Sequence, residues 1–282
     1  MREFRDRVAV VTGGASGIGK AMATRFAAEG MKLVLADIEE PVLDAVVQEF
    51  RAAGADVVGI RTDVSVAAEV EALRDRALDA FGAVHVVCNN AGVGGSGIVG
   101  APIEVWEWVI GVNLWGVVHG VHTFLPLLLD QNEGHIVNTA SLAGLGGVPG
   151  LGVYCTTKFA VVGLSESLYY DLTGLESAVG VSVLCPGFVQ TQIGESARNA
   201  PASLARWTNS EVAEATRGMA NALSAAGIPP AHVADAVFDA ITSGDFFVLP
   251  HHHAALATTR GRLDWMQGGA APRLDPTRAL QP

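Results

Sequence analysis

Two rhythms alternate along this chain. Short, unbroken apolar runs are each followed by a longer stretch in which apolar residues return every three or four positions. The short runs are RVAVVTG (7–13), KLVLAD (32–37), DVVGIRTD (56–63), VHVVCNNAG (84–92), HIVNTAS (135–141) and VSVLCPG (181–187). They are rich in valine and lack polar alternation, as strands do when helices cover both faces of their sheet. The stretches 18–30, 39–54 and 66–82 are amphipathic, and each stops at a glycine, a favoured helix terminator. Further helices are predicted over 105–129, 150–172 and 229–244, with FFVLP (246–250) as a last strand. The segment 188–226 reads as a loop followed by one or two helices. Regular strand–helix alternation predicts an α/β fold with a doubly wound parallel sheet in a single domain. That domain is expected to span 1–250. Residues 251–282 then form a C-terminal extension, part of it irregular or packed on a neighbouring subunit.

Composition narrows what such a domain does. The 282 residues carry a formal charge of −11, and no basic run appears. An acidic surface repels nucleic-acid backbones and anionic membranes, so neither is an expected partner. The stretch 109–129 is long enough to cross a bilayer. It carries Asn113, His119 and His122, each costly in hydrocarbon, and Pro126 near its end, so a buried or subunit-facing helix is expected instead. The N-terminal MREFRDRVAVVTGG shows neither an uncharged apolar core nor a small-residue cleavage site, which predicts a cytoplasmic protein. Cys88, Cys155 and Cys185 are too few, and odd in number, for a disulfide framework. His251, His252 and His253 have no Cys, Asp or Glu cluster beside them, so no metal site is predicted.

The candidate chemistry sits at the ends of predicted strands, the edge where open α/β sheets bind ligands. Ser141 ends the fifth strand, Tyr154 lies thirteen residues on, and Lys158 four beyond that. On a helix, Tyr154 and Lys158 share one face a turn apart. A phenol of pKa about 10 exchanges its proton poorly at neutral pH, and a nearby ammonium favours the phenolate. Lys158 is therefore expected to draw the Tyr154 pKa down. The first strand opens into Thr12, Gly13, Gly14, Ala15, Ser16, Gly17, Ile18 and Gly19, a glycine-rich turn leading into a helix. Free N–H groups there suit a pyrophosphate, although any tight strand-to-helix turn recruits glycine. Asp37 ends the second strand, where a carboxylate can accept both adenosine ribose hydroxyls or simply close a turn. Asp63 and Val64 follow the third strand and could contact the adenine edge. Asn89, Asn90, Ala91 and Gly92 follow the fourth and could line the adenosine side and stabilise the sheet.

In this order and spacing, T-G-x-x-x-G-x-G at 12–19, N-N-A-G at 89–92, Ser141 and Y-x-x-x-K at 154–158 resemble the single-domain branch of the short-chain dehydrogenase/reductase family. Asn113 and the pair Pro186–Gly187 add to the likeness, which covers about 7–191 and, more loosely, the chain to 249. The resemblance implies a Rossmann-type sheet of order 3-2-1-4-5-6-7 and a nicotinamide cofactor. It makes Tyr154 the general acid/base and Ser141 a hydrogen-bond donor to the substrate oxygen. Lys158 would tune Tyr154 and contact the nicotinamide ribose, and Asn113 would hold a relay water. Beyond Pro186 and Gly187, it places Val189 and Thr191 against the nicotinamide carboxamide and the phosphates.

Asp37 would repel the 2′-phosphate of NADP. Ser16 and Ile38 stand where NADP-preferring members often carry Arg or Lys. NAD is thus the expected cofactor, and an apolar secondary alcohol or ketone the expected substrate. The alternatives are NADP(H)-dependent carbonyl reduction on the same fold, and a non-catalytic nucleotide-sensing protein. Segment 188–226, with Ile193, Leu204, Trp207, Met219 and Leu223, is predicted to be a lid; the same residues could form only a helix's core face. The helices over 105–129 and 150–172 carry more apolar residues than one buried face requires. The resemblance implies pairing through them into a homodimer or homotetramer.

Overall fold

The computed structural model describes residues 1, 3–272 and 279–280, with Val212 described by its backbone only. The strands are β1 (Val8–Thr12), β2 (Lys32–Asp37), β3 (Val57–Arg61), β4 (Val86–Asn89), β5 (Gly134–Thr139), β6 (Val179–Leu184) and β7 (Phe247–Val248). They form one parallel sheet in the order β3-β2-β1-β4-β5-β6-β7, the order that the resemblance implies. Between them run α1 (Gly17–Ala28), α2 (Glu40–Ala52), α3 (Ala67–Phe81), α4 (Ile103–Ile110), α5 (Gly116–Gln131), α6 (Gly152–Gly174), α7 (Ala205–Thr208), α8 (Glu211–Ala225) and α9 (Pro230–Ser243), with α10 (His252–Met266) after β7.

Alternate residues of each strand feed two cores. On β2, Leu33 and Leu35 join Met22 and Phe26 of α1, Leu43 and Phe50 of α2, and Val237 and Ile241 of α9. Val34 and Ala36 face the other way, toward Leu73 of α3, Phe124 and Leu128 of α5, and Leu168 and Leu172 of α6. Covered on both sides, β1, β4 and β5 are buried along their whole length, whereas the edge strand β3 alternates in burial. A buried polar chain pins the register. Asn89 Nδ2 donates to Asn138 Oδ1 (2.9 Å), and Asn138 Nδ2 donates to Ser165 Oγ (3.0 Å), tying β4 to β5 and β5 to α6. The helix bearing Tyr154 is thereby fixed to the strand bearing Ser141. Cys88 and Cys185 have β5 between them, and all three cysteines are free and buried.

One expectation needs correction. The helix predicted over 105–129 is not uniform: α4 and α5 are joined by a π-helical turn, Gly111–Trp115, with Asn113 fully buried inside it. Pro126 does not end α5, which runs on to Gln131. Its ring costs a bond to the His122 carbonyl, and both residues are exposed, so water replaces the lost partner. Beyond β7 comes the extension. Its first part is the helix α10, packed on its own chain, with Ala254 and Ala255 buried.

Candidate active site

The exit of β1 forms a cradle. Gly17 adopts a φ of +53°, and a Cβ there would come 3.0 Å from the Thr191 methyl. At Gly19 a Cβ would stand 2.1 Å from the Gly13 carbonyl oxygen, so glycine alone lets α1 start this close to the turn. Ser16 is the N-cap of α1 but makes no side-chain cap bond, which leaves first-turn N–H groups for an outside acceptor. Thr12 Oγ1 accepts from the amides of Asn90 (2.9 Å) and Ala91 (3.1 Å), while Asn90 Nδ2 donates to the Thr12 carbonyl (2.9 Å). Asn90 and Ala91 thus lace β4 to β1, the sheet-stabilising half of their expected role.

Asp37 serves the turn as well as facing the cleft. Its oxygens accept from Ala15 N and Glu39 N, each at 3.1 Å, and burial raises its pKa against those bonds. A carboxylate has about four lone-pair sites, so acceptor capacity remains for ribose hydroxyls. Ile38, beside it, is exposed. Asp63 closes its own turn, with Oδ1 accepting from Ser65 N (3.0 Å) and Ser65 Oγ (2.6 Å). The Val64 side chain is buried in the core against Gly116, so only its backbone is offered to an adenine.

Ser141 lies just after β5 and caps the short turn Leu142–Gly144. Its Oγ accepts from Ala143 N (3.1 Å) and donates to the Pro186 carbonyl (3.3 Å). Tyr154 is in the first turn of α6. Lys158, one turn on, is buried, with Nζ donating to the Thr139 carbonyl (2.8 Å) and lying 5.4 Å from the Tyr154 ring centroid. Burial dominates both groups: it pushes the phenol up to about 12, against a hydrogen bond from Ser141, and the ammonium down to about 8. The expected lowering of the Tyr154 pKa by Lys158 is therefore not what this cleft gives. The ammonium sits over the ring face, where it is also attracted by the ring quadrupole.

Asn113 is fully buried inside the π turn. Its Oδ1 accepts from Val93 N (2.8 Å) and its Nδ2 donates to the Val93 carbonyl (3.0 Å) and Thr157 Oγ1 (3.3 Å). With its amide committed to the backbone after β4, the side chain holds that loop. Gly92 lies between them, a Cβ there standing 3.3 Å from Asn113 Oδ1 and 3.7 Å from Lys158 Nζ.

After β6, the Pro186 carbonyl takes the Ser141 bond, and Gly187 follows it in the same turn. The Val189 side chain packs in the core, its backbone bridging to Ile228, so only its backbone can face a carboxamide. Beyond Thr191, the turn Ile193–Asn199 crosses the cleft. Ser196 Oγ accepts from Gly94 N (2.8 Å) after β4. At the far side, Arg198 donates to both Glu39 oxygens, through Nε at 3.0 and 3.2 Å and Nη2 at 2.5 Å, and Asn199 Nδ2 adds a bond of 2.8 Å. The sequence reading missed Ser196, Arg198 and Glu39. Arg198 and Glu39 lie 159 residues apart, and nothing local marks the pair. An open cavity of about 590 Å³, lined mainly by Ile98, Val148, Pro149, Cys155 and Phe159, borders the first turns of α6. Among the described residues no cluster of three His, Cys, Asp or Glu side chains could hold a metal.

A family model described as short chain dehydrogenase matches residues 7–202, from β1 into the segment after β6. A crystal structure of a short-chain dehydrogenase/reductase from Burkholderia phymatum in complex with NAD superposes with a TM-score of 0.93 at 45% identity, covering 98% of this chain and 99% of that one. A dehydrogenase/reductase of CLA biosynthesis from Lactiplantibacillus plantarum is 35% identical over 257 residues, 89% of this chain and 90% of its own. The 1-deoxy-11-beta-hydroxypentalenate dehydrogenase of Streptomyces avermitilis is 36% identical over 258 residues, 89% of this chain and 87% of its own. A glycine cradle, a carboxylate after β2 and a serine–tyrosine–lysine corner thus stand on the matched stretch of a seven-stranded sheet, and the chain belongs to the short-chain dehydrogenase family as one of its oxidoreductases.

Proposed function

We propose that the protein moves a hydride between NAD(H) and an apolar secondary alcohol or the matching ketone. One observation carries the reading: Ser141, Tyr154 and Lys158 meet at the C-terminal edge of the sheet that also holds the cradle and Asp37. A bound nicotinamide supplies the hydride acceptor or donor. Gly13, Ser16, Gly17, Ile18 and Gly19 present backbone N–H groups to its pyrophosphate, and Asp37 accepts from the adenosine ribose. Lys158 has three donors and spends one on Thr139, so it retains two for the nicotinamide ribose. Tyr154 exchanges the proton with the substrate oxygen, and Ser141 turns from Pro186 to donate to the same atom. Burial favours the neutral phenol, the form that can protonate a ketone oxygen.

NAD is favoured over NADP by charge. Asp37 and Glu39 both flank the adenosine end, and the cation brought there, Arg198, is already held by Glu39 through both oxygens. The NADP-dependent alternative would have to release Arg198 from that pair. The Burkholderia phymatum relative, whose structure contains NAD, supports the same choice. A relative named for hydroxypentalenate supports an apolar alcohol. Exposed Ile103 and Trp115 on the α4–α5 rod and Tyr170 on α6 support a homo-oligomer, dimer or tetramer, in a cytoplasmic setting.

The test is an NAD⁺-reduction screen over varied secondary alcohols, followed at the nicotinamide absorbance. Turnover with at least one apolar alcohol, lost in Tyr154→Phe, is expected. NADH binding with no turnover across the panel would replace this reading with the nucleotide-sensing one.

A further inference from the structure

The turn that carries Pro186 and Gly187 is held from two sides. On the cleft side, the Pro186 carbonyl accepts from Ser141 Oγ (3.3 Å) and Leu142 N (2.9 Å). On the opposite side stands His251, the residue before α10, with no exposed surface. Its Nδ1 accepts from the Gly187 amide at 3.0 Å, and its ring lies so near that a Cβ on Gly187 would come 3.0 Å from ring carbons. Farther along the chain, the Ala279 carbonyl accepts from the Phe188 amide at 2.9 Å. Both backbone donors of the turn are therefore satisfied by residues beyond Pro250.

The helix between these two contacts is anchored to the same corner. Thr258 of α10 abuts Gly146, in the loop after Ser141, and the Arg262 guanidinium lies 4.8 Å from the Phe159 ring of α6. Because Nδ1 is an acceptor, the imidazole is neutral with its proton on Nε2, a buried donor that finds no partner among the described residues. Leaving such a group unpaired costs about 1–3 kcal/mol. An apolar side chain would avoid that cost and still fill the space, so packing alone does not account for a histidine here.

We infer that His251 is a positioning residue: with Ala279 it braces the Pro186–Phe188 turn, and through that turn it sets Ser141 and the nicotinamide end of the cofactor site. The inference rests on the proposed NAD(H) chemistry for its functional consequence, and on the two backbone bonds for its structure. The extension is then part of the active-site wall of its own chain.

Two substitutions separate the acceptor from the bulk. His251→Phe keeps a ring against Gly187 and removes Nδ1, while His251→Asn places a carbonyl oxygen near the Nδ1 position. In His251→Phe, amide exchange at Gly187 in the cofactor-free protein is expected to quicken by roughly tenfold, and NADH affinity to fall by a similar factor. His251→Asn should recover most of both. A residue that only packs would lower the melting temperature in both variants without this split. Unchanged Gly187 exchange and NADH affinity in folded His251→Phe would overturn the inference, as would equal impairment in the two variants. If His251→Phe fails to fold, a chain ending at Gln267 removes the Ala279 carbonyl. Faster Phe188 exchange and weaker NADH binding are then expected, and no change in either would overturn the brace. A wild type that binds NADH yet oxidises no alcohol would sink the proposed function, while the exchange rates and affinity ratios still decide this one.

Discussion

The serine–tyrosine–lysine corner and the segment 193–199, which is proposed as part of a lid, are fastened by opposite means. At the corner, Lys158 bonds a strand carbonyl, Asn113 bonds both polar atoms of Val93, and Asn138 bonds Ser165, all buried. Losing a buried bond of this kind strands its partner and costs about 1–3 kcal/mol. The segment 193–199 instead hangs on side chains: Arg198 and Asn199 on Glu39, and Ser196 on Gly94. The Arg198 side chain is 37% exposed, and such ion pairs contribute about 0.2–1 kcal/mol. The bonds of the corner lie in the core, whereas the Arg198–Glu39 pair lies toward water. The fold thus separates precision from access.

The strongest way to break that comparison is at the corner. Tyr154→Phe keeps the ring under Lys158 and removes only the hydroxyl, so kcat should fall roughly 10²–10⁴-fold with NADH affinity nearly unchanged. Near-normal turnover would show that another group handles the proton.

Next comes the adenosine end, where the two regions meet. The unmodified protein should favour NAD over NADP by more than about tenfold in kcat/KM, equivalent to about 1.4 kcal/mol. Asp37→Ala should weaken NAD and narrow the gap, and adding Ile38→Arg should help NADP further. Equal use of both cofactors by the wild type would mean that Asp37 does not face the ribose.

The burial of Lys158 has its own signature. Its ammonium is held down to about 8, whereas in the unfolded chain it titrates near about 10.4. Across that window the unfolded chain keeps a proton that the folded chain has released, so stability gains with rising pH. Below it both states are protonated, and the burial penalty stands in full. Lys158→Met should remove the gain. Urea midpoints measured for both proteins from about pH 7.5 to about 10 should diverge in slope, and parallel curves would contradict a buried ammonium.

The smallest effect belongs to the lid. Arg198→Ala should speed NADH release only about two- to fivefold, as an exposed pair allows. In the wild type, amide exchange over 188–226 should slow when NAD⁺ binds; equal protection with and without it would end the lid proposal.

Much of this was legible in the chain. Valine runs marked the strands because both sheet faces are covered, and the glycine spacing marked the cradle because Gly19 has no room for a side chain. Tyr154, Lys158 and Ser141 announced themselves through local spacing. What escaped was set by distance or by burial. Arg198 finds Glu39 across the fold, and His251 finds Gly187 from 64 residues away, so no local pattern encodes either. The Tyr154 pKa went the wrong way because spacing gives proximity to Lys158 but not the cost of desolvating both groups. Val64 and Val189 were placed in the cleft by their motifs, while their apolar side chains went to the core.

The π turn at Gly111–Trp115 makes the length of this helical rod a rotational setting. A helix turns about 100° per residue, from 3.6 residues per turn. Trimming one residue from 111–115 would restore regular helix, and would also swing α4 around the rod relative to α5. Trp106 and Trp108, now packed beside Val93, Val105 and Val153, would be carried off that cluster. Near-UV circular dichroism of such a deletion would register the displaced indoles. In this stretch a change of chain length acts as a twist, so the segment should tolerate exchanges of residue far better than gaps.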